Sequence, residues 1–276
     1  MHRMDRCFAD LARAGKKALC VYVCIGDPSL DESVGLALAA LEAGADLLEL
    51  GVPFSDPTAD GPVLERASKR AIAAGATVER VVEAARDVRR RSDAPLVLFT
   101  YYNPVFVVGE ARVASMASDA GIDAMLVVDL PPEEAGALRD ACASHGMGLV
   151  PLVTPTSDAA RMELIRRLSV APPGAPRGFV YAVSMTGVTG GVLADMAAMG
   201  RSAELIRATF GMPVVVGFGI DGGASARMAA GSRGAGADGV VVGTALARRI
   251  EQGTSPDERV RLVRMFVQEL RQALDA

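Results

Sequence analysis

Eight strand-sized apolar runs punctuate this chain, with segments of alanine-rich helical pattern between them. They are Ala18–Ile25, Leu47–Val52, Leu96–Tyr101, Ala124–Asp129, Gly148–Val153, Gly178–Ser184, Pro213–Gly219 and Asp238–Gly243. Each is close to continuously apolar, where a strand with one wet face would alternate. Strands buried on both faces belong to a parallel sheet, because each crossover lays a helix over the sheet. Eight such runs within 276 residues predict an α/β fold, a closed (β/α)8 TIM barrel rather than an open doubly wound sheet. No linker separates a second unit, so residues 1–276 are expected to form one domain.

The helical pattern adds elements to the plain barrel. An extra N-terminal helix is expected over about Met4–Ala14, and helical patterns on both sides of Thr77 place two helices in the second connection. The last helix, near Pro256–Leu274, begins with Ser255 as cap and Pro256 in its first turn. Two enlarged turns, Pro172–Pro176 and Ala229–Gly236, precede strands and so fall on the face of a barrel that serves stability.

Composition removes several classes of function. The formal net charge is −4, and the one basic cluster, Arg89-Arg90-Arg91, sits at a predicted helix end where it complements the dipole. A nucleic-acid partner is therefore not expected. The apolar runs are too short to span a bilayer, and the N-terminus lacks the apolar core of a signal peptide, so a soluble, cytoplasmic protein with no membrane partner is expected. The four cysteines (Cys7, Cys20, Cys24 and Cys142) form no CxxC pair, and His2 and His145 are the only histidines, which leaves little material for a metal cage. Cys20 and Cys24 share a strand face and are read as small apolar packing groups. Acid–base chemistry at neutral pH then falls to carboxylates, tyrosines or lysines.

The richest stretch for such chemistry is Leu48-Glu49-Leu50-Gly51-Val52-Pro53-Phe54-Ser55-Asp56-Pro57-Thr58-Ala59-Asp60-Gly61-Pro62. Glu49 lies within an apolar strand, where an ionised carboxylate loses hydration, so its pKa is expected to rise toward the range of a proton-transfer group. Asp60 ends the proline-stiffened loop that follows. Two carboxyls in different surroundings at one strand end suit acid–base work. The competing reading makes Glu49 a rim residue and Asp60 the N-cap of the next helix, and the stretch alone does not choose.

Other strand ends carry polar or unusual residues too: Gly26-Asp27-Pro28, Tyr101-Tyr102-Asn103-Pro104, Asp129-Leu130-Pro131 and Tyr181 onward. The C-terminal ends of barrel strands are where active sites lie. Gly219 and Gly243 allow backbone amides to approach an anion, Thr244 adds a hydroxyl, and Val188-Thr189-Gly190-Gly191 supplies further glycines, which together read as a phosphate site. The long segment Met185–Met199 reads as a lid.

These motifs, with Val183-Ser184, Gly187-Val188-Thr189-Gly190, Gly217-Phe218-Gly219-Ile220 and Val242-Gly243-Thr244-Ala245, resemble in order the alpha subunit family of tryptophan synthase, over essentially the whole chain. The resemblance implies retro-aldol cleavage of indole-3-glycerol phosphate to indole and glyceraldehyde 3-phosphate, with no cofactor in this subunit. It implies Glu49 as general acid/base, Asp60 as acceptor from the indole N–H, and Tyr181 as the active-site tyrosine. Tyr22, Phe99, Leu126 and Phe218 would wall the indole, and Gly190, Gly219, Gly243 and Thr244 would hold the phosphate. A pyridoxal-phosphate beta subunit is implied as partner in an α2β2 complex, docking on the Pro53–Asp60 loop and the segment around Asn103-Pro104. A stand-alone indole-releasing lyase would share the same catalytic residues. The chain departs from the family pattern at Tyr22, within Cys20–Ile25 where Pro-Phe is usual, at Met185 where Arg is frequent, and at Thr244 where Ser is usual.

Overall fold

The computed structural model describes residues 1–154, 156–169, 176–183, 202–217, 219–231 and 236–276. Nine short strands are present among them: β1 (Ala18–Cys24), β2 (Leu47–Gly51), β3 (Leu96–Thr100), β4 (Ala124–Val127), β5 (Gly148–Leu149), β6 (Leu152–Val153), β7 (Val180–Val183), β8 (Val214–Gly217) and β9 (Gly239–Val242). The helices are α1 (Arg3–Arg13), α2 (Leu30–Glu42), α3 (Pro62–Ala73), α4 (Val78–Arg89), α5 (Tyr102–Val108), α6 (Glu110–Asp119), α7 (Gly136–Ser144) and α8 (Ala159–Leu168). They continue with α9, described over residues 202–210, then α10 (Gly223–Ala230), α11 (Thr244–Gln252) and α12 (Pro256–Asp275). No helix among the described residues is long and apolar enough to cross a membrane.

All strand pairs are parallel, in the order β5-β4-β3-β2-β1-β9-β8-β7-β6. The two ends of that order are consecutive pieces of one extended segment, residues 148–153, interrupted at Val150-Pro151. The Val150 amide donates to Met125 on one side, and the Pro151 carbonyl accepts from Tyr181 on the other. The sheet therefore closes on itself. Register gives the same result. Paired residues lead from Tyr22 through Glu49, Val97 and Ala124 to Gly148. Resuming four residues later at Leu152, they lead through Tyr181, Val215 and Gly239 to Ala18, four residues before the start. The stagger of eight residues is the shear of a TIM barrel.

Each of the eight expected runs holds a strand, one to three residues shorter than the run, except that the fifth is found as two pieces. Pro151 has no N–H to offer a ladder, and the stagger hands the first half to β4 and the second to β7. The extra N-terminal helix, the helix pair around Thr77 and the helix opened by Ser255 are found, with Thr77 and Ser255 each accepting from an amide three residues on. Residues 170–175 and 232–235 of the two enlarged turns lie outside the described residues.

Alternation along the strands sorts side chains into two layers. Leu19, Val21 and Val23 of β1 face out and pack against the helices with Leu48, Leu50, Leu96 and Leu98. Ala18, Cys20, Tyr22 and Cys24 face in, with Leu47, Val97, Leu126, Val215 and Val241. The two cysteines do share the inner face, as expected. Helix α1 closes the N-terminal end of the barrel, where Phe8 packs on Phe179 with ring centroids 5.6 Å apart. Buried Asp123 anchors it there, accepting from Arg3 at 2.6 Å, Arg89 at 2.9 Å and the Leu96 amide at 2.8 Å. Arg89 thus does more than complement a helix dipole: it ties α4 to β4 and α1.

Candidate active site

Glu49 stands in the middle of β2 with its side chain inside the barrel, and it is 0 % exposed. It is not a rim residue. Among the described residues neither carboxyl oxygen has a hydrogen-bond partner. Burial raises its pKa to about 8, and the Cys20 thiol nearby pulls it partly back. At neutral pH this carboxyl is mostly protonated, able to give a proton and then to take one.

Asp60 is half-buried at the end of the loop after β2. It is not a helix cap, because the N-cap of α3 is Gly61 and no side chain caps that end. Burial raises its pKa to about 6, the Tyr101 hydroxyl holds it down, and the Glu65 charge adds to the rise. Tyr101 also fixes the loop: its hydroxyl accepts from the Ala59 amide at 3.0 Å, and its ring packs on Phe54 with centroids 5.3 Å apart.

Two phenols feel both carboxyls. Burial pushes the hydroxyls of Tyr22 and Tyr181 well above the usual tyrosine range, and the charges of both Glu49 and Asp60 push the same way. Two carboxyls felt by two phenols share one space inside the barrel mouth, and both phenols remain protonated donors. Each phenol leans onto a neighbouring strand where no side chain stands. A Cβ on Gly51 would fall directly on the Tyr22 hydroxyl, and a Cβ on Gly217 directly on that of Tyr181. Tyr22 meets Phe99 edge-on at 5.1 Å, and Phe99 is paired in register with Leu126, so the wall residues form one apolar surface. That surface fits a flat aromatic ligand.

At the end of β9, which adjoins β1, Gly243 is the N-cap of α11 and Thr244 its first residue, exposed. First-turn amides have no partner within their own helix and attract anions. Gly219 is exposed with φ +64, in the left-handed region. A Cβ on Gly243 would stand 3.3 Å from the Tyr22 ring, so this glycine also makes room for that ring. Gly190, Phe218, Met185 and the rest of the expected lid lie outside the described residues. Among those described, no group of three or more His, Cys, Asp or Glu could hold a metal.

Sequence reasoning missed four residues that shape this site: Tyr101, Cys20, Gly51 and Gly217. Tyr101 had a signal in its place at the end of β3. The others become visible only once facing strands are set in register.

A family model described as tryptophan synthase alpha chain matches residues 8–275. A tryptophan synthase alpha chain from Citrifermentans bemidjiense is 47% identical over 255 residues, covering 91% of this chain and 90% of its own. One from Geobacter sulfurreducens is 43% identical over 274 residues and 99% of each chain. Among solved structures, tryptophan synthase subunit alpha from Legionella pneumophila superposes with a TM-score of 0.86 at 34% identity, over 100% of this chain and 99% of that one. Mycobacterium tuberculosis tryptophan synthase gives a TM-score of 0.87 at 30% identity, over 100% and 99% respectively.

Proposed function

The chain belongs to the tryptophan synthase alpha chain family and cleaves indole-3-glycerol phosphate to indole and glyceraldehyde 3-phosphate in tryptophan biosynthesis, and we propose that Glu49 and Asp60 divide the proton and charge work of that cleavage. Protonated Glu49 gives its proton to indole C3, which makes the ring an electron sink. The glycerol hydroxyl on the adjoining carbon then loses its proton to the ionised Glu49 as the C–C bond breaks. Its electron pair returns to the ring, an aldehyde forms, and Glu49 ends as it began. Asp60, ionised at neutral pH, accepts from the indole N–H, and its pull strengthens as the ring becomes cationic. The observation that carries this reading is a fully buried carboxyl without a partner, raised to about 8, beside a second raised only to about 6.

Tyr181 lies beside Glu49 as a neutral donor, and Tyr22, Phe99 and Leu126 hold the indole. Gly219, Gly243 and Thr244 receive the phosphate. Gly190 and Phe218 join by resemblance alone. We read residues 1–276 as one domain, supported by the continuity of the barrel from β1 to β9, and assign it to the cytoplasm by resemblance. A beta subunit in an α2β2 complex is the partner this reading implies. It is supported by an exposed apolar pair, Phe106 and Val107, on the same helix as Asn103-Pro104.

Steady-state cleavage by Glu49→Gln tests the assignment. Loss of roughly 10²–10⁴-fold in turnover, with substrate affinity kept, is expected of a general acid/base. Retention of more than half of the wild-type rate would overturn it.

A further inference from the structure

Among the described residues the other buried carboxylates are paired. Asp27 is gripped by Arg70 through two nitrogens at 2.7 and 3.0 Å, and Asp123 by Arg3 and Arg89. Half-buried Asp46 likewise accepts from Arg271 and from the Leu19 amide. Glu49 differs, since both its oxygens lack a partner among the described residues. Among the described residues, the ionisable groups that interact with it are Tyr22 and Cys20 of β1, Tyr181 of β7 and, sharing the same two phenols, Asp60 of the following loop. None is a cation. When Glu49 gives up its proton, the donors among these groups that can steady the charge are neutral.

Cys20 is placed for that. It lies on the inner face of β1, two residues before Tyr22, and the register sets Tyr22 opposite Glu49 and Cys20 opposite Leu47. Cys20 is therefore the diagonal neighbour of Glu49 on the adjoining parallel strand and the same inner face, and each group shifts the titration of the other. It is 0 % exposed, so its thiol is shielded from bulk solvent. Burial holds that thiol in its protonated form, and the charge of Glu49 does so further.

We propose that Cys20 is a positioning residue for Glu49, its S–H donating a hydrogen bond to the carboxylate in the interval when Glu49 has lost its proton. The thiol keeps its own proton throughout, and no bond to sulfur forms or breaks. The proposal rests on Glu49 as the proton-transfer group. It gives a thiol otherwise read as packing a part in setting how readily Glu49 ionises.

Three variants and one spectroscopic titration test it. Cys20→Val removes the donor at similar volume, and Cys20→Ser replaces it with a stronger one. The alkaline limb of kcat/KM is expected to move up by about half a pH unit in Cys20→Val, about threefold in the ionisation ratio, and to stay or move down in Cys20→Ser. In the wild type an infrared S–H band should shift with pH at the midpoint of the Glu49 carboxyl band. That shift should be absent in Glu49→Gln. Identical alkaline limbs in wild type and both Cys20 variants, or S–H bands that titrate alike in wild type and Glu49→Gln, would overturn the proposal. If Glu49→Gln keeps its turnover, the catalytic assignment fails separately, while the S–H titration still decides whether thiol and carboxyl are coupled. Should Cys20→Ser fail to fold, the infrared comparison of wild type with Glu49→Gln decides alone.

Discussion

Burial without a partner takes Glu49 up to about 8, whereas Asp60, with the Tyr101 hydroxyl beside it, stops at about 6. The proposed reaction needs Glu49 protonated and Asp60 ionised, so kcat/KM should be bell-shaped, falling below about pH 6 as Asp60 protonates and above about pH 8 as Glu49 ionises. Asp60→Asn should remove the acid limb, and a pH–rate series on the two proteins checks it. It should also lower turnover strongly while barely changing glyceraldehyde 3-phosphate affinity, because the lost attraction is to a charge that exists only near the transition state. Glu49 has a second consequence, for stability. Its pKa rises on folding from the ordinary glutamate value of 4.5 to about 8, so the folded state holds the extra proton between those values. Wild-type stability therefore declines as pH rises through that window. Glu49→Gln does not titrate there. Relative to wild type it should gain stability between about pH 5 and about pH 8, by on the order of 4 kcal/mol at most. Denaturant melts of both proteins at the two pH values measure this, and a constant difference would mean that the folded-state carboxyl is not held neutral.

Each phenol of the site depends on the strand beside it. The interior is filled layer by layer, and Tyr22 and Tyr181 reach the mouth only because Gly51 and Gly217 leave space on β2 and β8. Gly51→Ala and Gly217→Ala should each force a phenol off its rotamer, costing about 1–3 kcal/mol and lowering turnover. Pairing Gly217→Ala with Tyr181→Leu should recover part of the lost stability, so the double-mutant cycle should show coupling rather than additivity. Additive melts would mean that the glycine serves the backbone instead. These dependencies mark the limit of what the sequence made legible. Runs such as Val214–Gly217 announce buried parallel strands because continuous apolarity has few other causes. The buried carboxyl at Glu49 was legible for a related reason, as a charge set in such a run. Pairings between distant residues left no local trace: Arg89 with Asp123, or Ala59 with Tyr101. The break in the fifth strand also depends on barrel stagger, which no window of sequence contains. Asp60 was ambiguous because a cap and an active-site carboxylate look alike before Gly-Pro, and only the bare N-cap at Gly61 separates them.

At the scale of the whole molecule, Tyr101 joins the expected docking surface to the chemistry. It is the N-cap residue of α5, its hydroxyl holds the Ala59 amide, and it lies beside the Asp60 carboxyl. The exposed residues Phe106 and Val107 sit on α5, and Ser55, Asp56, Thr58 and Ala59 are exposed on the loop that ends in Asp60. A partner seated across both elements would press on one residue that touches each. Such a partner raises turnover only if it binds the competent arrangement of Asp60 more tightly than the others, and a tenfold activation needs only about 1.4 kcal/mol of that preference. We therefore expect the isolated chain to cleave indole-3-glycerol phosphate slowly and a cognate beta subunit to accelerate it. Phe106→Ser should weaken association with the beta subunit while leaving the isolated rate unchanged, since Phe106 is far out on α5 and 67% exposed. Tyr101→Phe should reduce the gain at saturating beta subunit, because the ring still packs but the loop is released. Turnover of the three proteins, titrated with beta subunit, separates affinity from activation. Equal rates with and without the partner would instead make this chain a stand-alone lyase, with the Tyr101 link serving only to hold Asp60 in place.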